Sequence, residues 1–426
     1  DGASKRLTAR FTFCSLLDLL NARRYKLTTN KAIPLMKPLA GVTVLEFSTM
    51  ITASFAAMMM AEQGASVIKV EPIEMGDPMR YIGASKAGMS ALFANCNRGK
   101  ESIRINLKDA AGQALIRRLM PDVDIVIHNF RPGVMDKLNL GSEQLRAINP
   151  RLIYMAISGF GHQGPLGSAP AYDPIIQAHA GMTAAQGLGT PVFIRNLVCD
   201  KITAYTACQA VTSALYLREK TGEGQHIDLS MLDSGLFFLF PDAFMNHTLL
   251  DDDIDPQPLL SDLIYELTLT ADGGLTFSAG VEKQRNGMFK AIGLAALIED
   301  PRFKSTEAIA ANRDDYIALI SQAFLTLTTD EALQKLQAHD VPCAKCLSLD
   351  EVLSQEQLVA NKSLETFDHP SMGAMRIMKA APRFGGEVLT PGGPSPSHGE
   401  HTDVVLARLN FTAADIQSYK AKGVVA

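Results

Sequence analysis

Apolar residues in this chain fall into short dense runs, and the stretches between those runs carry a different, helical spacing. VTVLEFS (42–48) and SVIKVE (66–71) are too brief and too uniformly apolar for helices, so each predicts a buried strand. Residues 52–63 between them are mostly small residues and methionines, which predict a helix packed closely on its neighbours. DIVIHNF (124–130) and LIYMAIS (152–158) predict two more strands, with helices at about 109–120 and 142–148. Strands alternating with helices predict an α/β fold on an open, mainly parallel, Rossmann-like sheet. The first turn reads STMITAS and lacks GxGxxG, which argues against NAD even though Glu71 ends the second strand.

Past a helix that opens near Met231 the pattern changes. LLDDDIDPQP (249–258) is acidic and rich in turn formers, as suits a linker. A smaller α+β unit is expected next, with a strand pair in 263–280 turning at ADGG and helices to about 336. The tail carries the Pro/Gly-rich loop GGEVLTPGGPSPSHGEHTD and closes with two helices, DVVLARL and AADIQSYKAKG. The expected divisions are a basic segment 1–35, a large domain 36–248, a small α+β domain 249–345 and a C-terminal segment 346–426. Residues 1–35 hold seven Lys or Arg against two Asp, a composition that fits either an organelle transit peptide or an upstream extension.

Composition narrows the function classes. An apolar fraction of 47% and a charged fraction of 20% are those of a globular enzyme. The longest near-apolar stretch, ITASFAAMMMA (51–61), is too short to span a bilayer, so no membrane association is expected. A net charge of −5 gives no basis for nucleic-acid binding. Six scattered cysteines suit a reducing compartment, and the cytoplasm is the expected location. Cys343 and Cys346 form one CxxC without a second pair or a histidine at ligand spacing, so no metal is expected.

One carboxylate stands out. Asp200, in NLVCDKITAYTACQ, opens a small-residue helix that is expected to run to roughly Leu217. It either caps that helix or, kept ionised by the positive helix end, serves as a nucleophile.

That segment and six others in order, PLAGVTVLEFS (38–48), GASVIKVEP (64–72), GDPMR (76–80), NRGKESIRINLK (97–108), NFRPGV (129–134) and GEHTD (399–403), resemble the class III CoA-transferases. These include formyl-CoA:oxalate and carnitine-type CoA-transferases, and the alpha-methylacyl-CoA racemases are relatives. The resemblance runs from about Met36 to Val425 and favours an upstream extension for residues 1–35. It implies transfer of CoA from an acyl-CoA thioester to a carboxylic acid, with Asp200 forming a covalent aspartyl-CoA intermediate. It further implies a tail that returns to the first domain, and a homodimer of two interlocked chains. The CoA thioester enters as substrate, and no cofactor is held permanently.

The positions that match the family's CoA contacts are Ile51 and Thr52, Ile105, Asn106, Leu107 and Lys108, Asn129, Phe130 and Arg131, Lys137, and the segment from Ala169 to Tyr172. Lys108, Arg131 and Lys137 supply charge for phosphates. Pro72 replaces the arginine that formyl-CoA transferase sets against adenine, and that enzyme's glycine-rich covering loop has no counterpart before Gly273. Racemases pair an aspartate at the Asp173 position with a histidine on the preceding helix. No histidine lies between His128 and His162, which favours transfer over an acyl-CoA racemase working through Asp173. Glu282 matches an acid near racemase sites and is a second candidate acid. A catalytically silent CoA-binding protein on the same fold is the remaining alternative.

Overall fold

The computed structural model describes residues 37–187, 189–257, 259, 265, 267–389 and 392–426, so expectations about the basic segment lie outside the described residues. In the first half the chain runs β1 (Thr43–Phe47), α1 (Thr52–Glu62), β2 (Ser66–Glu71), β3 (Lys100–Arg104), α2 (Ala110–Leu119) and β4 (Ile125–His128). It continues with α3 (Ser142–Ile148), β5 (Ile153–Ser158), α4 (Asp173–His179), α5 (Val198–Thr221), β6 (His226–Ser230) and α6 (Met231–Ala243). Among the described residues, these six strands form one sheet in the order β3-β2-β1-β4-β5-β6. Every pairing in it is parallel. This is the doubly wound order, whose direction reverses between β1 and β4.

Both faces of the sheet are covered, which explains why the strands read as unbroken apolar runs. On one face Val44, Val67, Ile125, Ile153 and Met155 pack against Ala53, Ala56, Ala57 and Met60 of α1 and Ala204, Ala207 and Val211 of α5. The small residues let these two helices lie close to the strands and to each other. On the other face Leu45, Phe47, Ile68 and Val126 meet Leu115, Ile116 and Leu119 of α2. Alternate residues of a strand serve opposite faces, as Val44 and Leu45 show.

Two strands of this sheet were not expected from the sequence. KESIR and HIDLS form the two edges of the sheet, and their polar residues dilute the apolar signal. Lys100, the first residue of β3, is nevertheless buried. Helix α5 also differs from its expected limits, starting two residues before Asp200 and ending at Gly222, whose φ of 81° suits a left-handed cap.

The stretch that follows contains β7 (Thr268–Leu269), β8 (Gly274–Phe277), α7 (Glu282–Ala291) and β9 (Cys343–Lys345). Its antiparallel sheet runs β9-β8-β7 over a separate core of Leu275, Met288, Phe289, Phe324 and Leu336. The tail supplies α8 (Thr402–Arg408) and α9 (Ala413–Ala421). Val405, Leu406, Ile416, Val424 and Val425 pack into the α2 face of the large sheet.

Candidate active site

A crevice is expected where the strand order reverses, because the chain leaves β1 toward one face and β4 toward the other. The residues following these strands meet there. Asn129 spans the opening, its side-chain amide donating to the Thr49 carbonyl at 2.7 Å and its oxygen accepting the Thr49 amide at 3.2 Å. Two residues later Ile51 caps α1 without a side-chain bond, and Thr52 begins the helix.

Asp200 approaches the same point from α5. The buried Thr52 hydroxyl donates a short hydrogen bond to its Oδ1. The two helix N-termini therefore converge on one half-buried carboxylate. Asp200 does not cap its own helix. Its backbone amide donates to Oδ2 of Asp173 at 3.1 Å, so the cap comes from the first residue of α4. The other oxygen of Asp173 accepts from Gln177 Nε2 at 2.6 Å.

Gln177 completes a clamp. Its Nε2 also faces the carbonyls of Ile194 and Asn196 at 3.1 and 3.2 Å, and its Oε1 accepts the Ile194 amide at 3.0 Å. The segment leading into α5 is thus held at the two residues flanking Arg195, Ile194 and Asn196. Hydrogen bonds to a buried carboxylate contribute about 1.5–3 kcal/mol each, so this clamp is a stiff one. Gln177 was missed in the sequence, although its spacing of four from Asp173 on one helix face is a usable signal.

The electrostatics correct one expectation. The positive helix end does not dominate Asp200, whose pKa is pushed up to about 6. Burial is the main cause and the adjacent Asp173 carboxylate adds to it, while the Thr52 hydroxyl and Lys201 oppose the rise. Near neutral pH the group is mostly ionised yet poorly solvated, a state that favours attack on an electrophile. Replacing its neighbours is expected to move it in opposite directions. Thr52→Ala removes a bond to the charged form and raises the Asp200 pKa; Asp173→Asn removes a like charge and lowers it. Carboxyl NMR titration of the two variants measures both shifts, and shifts of one sign in both would contradict this arrangement.

The residues expected to contact CoA differ in burial and packing. Ile51 and Ile105 are buried core residues, so only their backbones are available. Leu107 and Phe130 pack on the α2-face core, and Asn106 closes the turn after β3, its Oδ1 accepting the Lys108 amide at 3.1 Å. Lys108, Arg131 and Lys137 are exposed, with no described ion pair. Tyr172 is exposed at the start of α4. Glu282 opens α7, where it is exposed, and no described contact joins it to Asp173 or Asp200.

The model for CoA-transferase family III matches residues 39–402. The succinyl-CoA–D-citramalate CoA-transferase of Chloroflexus aurantiacus is 31% identical over 91% of this chain and 98% of its own length. The succinate–glutarate CoA-transferase of Agrobacterium fabrum is 33% identical over 87% of this chain and 96% of its own. Among solved structures, a CaiB/BaiF family protein from Brucella suis superposes with a TM-score of 0.78 at 31% identity, covering 88% of this chain and 99% of that one. These relatives support acyl-CoA:carboxylate CoA-transferase activity. With a doubly wound sheet, a carboxylate at its switch point and a family match over nearly the whole chain, this protein belongs to CoA-transferase family III.

Proposed function

We propose that Asp200 is the nucleophile in CoA transfer and that CoA is carried between the two acids as an aspartyl thioester. The observation that carries this reading is the convergence of Thr52 and Asp173 on Asp200 at the sheet's switch point. A carboxylate oxygen of Asp200 attacks the thioester carbonyl, the C–S bond breaks, and CoA leaves as thiolate with an acyl–aspartyl anhydride behind it. The thiolate then attacks the aspartyl carbonyl, expelling the first acid as its carboxylate and forming Asp200-CoA. The incoming carboxylate reverses both steps, so no proton or water is consumed. Amides in the first turn of α1, unpaired within the helix, are available to the developing oxyanions. Asp173 is not free to act as a base, since both its oxygens are engaged and it is buried, so the geometry lends nothing to the racemase alternative.

The acceptor is expected among the acids in the relatives' names, with succinate, glutarate and D-citramalate as the panel to test. Lys108, Arg131 and Lys137 serve the CoA phosphates. Lys108→Ala and Lys137→Ala should each raise KM for CoA esters several-fold with kcat little changed, because remote binding is shared by ground and transition states. Steady-state kinetics with one acyl-CoA decides this, and equal losses in kcat with an unchanged KM would remove these lysines from the CoA site. The active form is a homodimer of interlocked chains, supported by an uncovered aromatic surface on α6. No helix among the described residues is long and apolar enough to cross a membrane. Mass spectrometry after hydroxylamine treatment of enzyme incubated with acyl-CoA tests the central claim: a hydroxamate at Asp200 supports it, and an unmodified Asp200 in a turning-over enzyme defeats it.

A further inference from the structure

Behind the turn that joins β1 to α1 lies a set of charges with almost no access to water. Glu46, Lys69, Glu71, Asp77, Arg80 and Lys100 are each no more than 3% exposed. Lys69 Nζ lies 2.7 Å from Glu46 Oε1 and 3.0 Å from Asp77 Oδ2, and Lys100 Nζ lies 2.7 Å from Glu46 Oε2. Arg80 is held by Glu71 at 2.6 Å. Burying such groups is costly, and apolar residues of similar volume would stabilise a core at least as well. Stability therefore does not account for the arrangement, but its targets do.

The ammonium groups are aimed at one stretch of backbone, Ser48 to Ser54. Lys69 donates to the Ser48 carbonyl at 3.1 Å and to the hydroxyls of Ser48 and Ser54 at 3.2 Å each. Lys100 donates to the Ser54 carbonyl at 2.8 Å, in the first turn of α1, and to Asn97 Oδ1 at 2.7 Å. The Ser48 and Ser54 hydroxyls meet at 2.7 Å across the base of the turn. Asp77 Oδ1 accepts the amide of Met50 at 3.1 Å. Met50 has a φ of 62°, a left-handed conformation that a residue with a side chain adopts at a cost. Thr52, between the two anchored serines, carries the hydroxyl that reaches Asp200.

We infer that Lys100 and Lys69 are positioning residues for CoA transfer, locking the Ser48–Ser54 turn so that Thr52 is presented to Asp200. This rests on the reading of Asp200 as nucleophile. No described contact joins either lysine to Asp200. They act through the turn, and the charges of Glu46 and Asp77 keep them in place.

The test is a double-mutant cycle. Lys100→Met alone would leave Glu46 Oε2 facing no cation, so the working variant is Glu46→Gln with Lys100→Met, which removes one charge of each sign. Ser54→Ala is the second variant; it deletes one hydroxyl and leaves every ion pair intact. The paired variant is expected to lose about 100-fold in kcat with KM for the CoA ester within about threefold. The acid limb of its kcat profile should move upward, as in Thr52→Ala, while Asp173 and Lys201, which also act on Asp200, are untouched. Ser54→Ala should move the limb in the same direction with a smaller loss. Added to Thr52→Ala, the paired change should cost no more than about threefold beyond Thr52→Ala alone. An unmoved acid limb in both variants, or fully additive losses, would overturn the inference. Hydroxylamine trapping on the wild type separates the two levels: no adduct at Asp200 defeats the nucleophile, whereas an adduct with unaffected variants defeats the positioning role only.

Discussion

Asp200→Asn is expected to lose at least ~10³-fold in turnover while binding CoA within several-fold of wild type, because it removes the proposed covalent nucleophile and little else. The amide keeps the size of the carboxylate and can still accept the Thr52 hydroxyl through its oxygen. The backbone amide of residue 200 still donates to Asp173, so the start of α5 stays capped. Any loss then belongs to the chemistry. The nearest carboxylate is Asp173, and it is buried with both oxygens occupied, so it offers no substitute. Rapid-quench assays of CoA exchange, with calorimetric CoA binding as the control, measure the two quantities. Retention of more than a few per cent of wild-type turnover would remove Asp200 from the covalent pathway.

The second large effect is expected at the surface of α6. Phe237 is 83% exposed and Phe238 59%, and Phe240 stacks on Phe244 at 5.2 Å beside them. Leu232 and Leu239 on the same helix turn inward to the core. A helix with apolar residues on both an inward and an outward side needs cover on both, and a second copy of the chain is the cover the dimer proposal requires. Each phenylalanine buried there would contribute roughly 1.5–3 kcal/mol, and twofold symmetry places the patch on both chains. Phe237→Glu with Phe238→Glu should therefore abolish assembly and, with it, activity. Sedimentation at micromolar concentration reads the result. A fully dimeric, active variant would show that this face is covered by something else or by nothing.

Much of the central architecture was legible because buried parallel strands have no polar face to confuse the pattern. β1, β2, β4 and β5 announced themselves in that way, and α1 did so by its run of small residues. β3 and β6 did not, since an edge strand mixes buried and exposed positions: Ser102 and Ile103 are buried, whereas His226 is exposed. Asp200, Thr52 and the cations Lys108, Arg131 and Lys137 were singled out through motif resemblance. The clamp formed by Asp173 and Gln177 was not, because a hydrogen bond between α4 and the start of α5 leaves no periodicity in either. Lys69 and Lys100 were read past altogether. A lysine in a strand is expected to reach water, and only the three-dimensional meeting of Glu46, Asp77 and the serine turn shows why these two do not.

The end of the described chain lies against residues 104–106, beside the segment proposed to hold CoA phosphates. The Asn106 amide donates to the Val424 carbonyl at 2.9 Å, Ile105 bridges Val425, and the Arg104 amide reaches the Thr402 hydroxyl 298 positions away. Contacts that close so long a loop repay their entropy late in folding. Helix α5, which carries Asp200, packs on strands and helices nearer to it in sequence, such as β5 and α4. During synthesis Asp200 can thus be seated while the strip of backbone that flanks Lys108 is still open at its edge. Under the proposed function, a nascent chain in that state would hold the reactive group but only part of the grip on CoA, and would gain the rest when residues 402–426 dock.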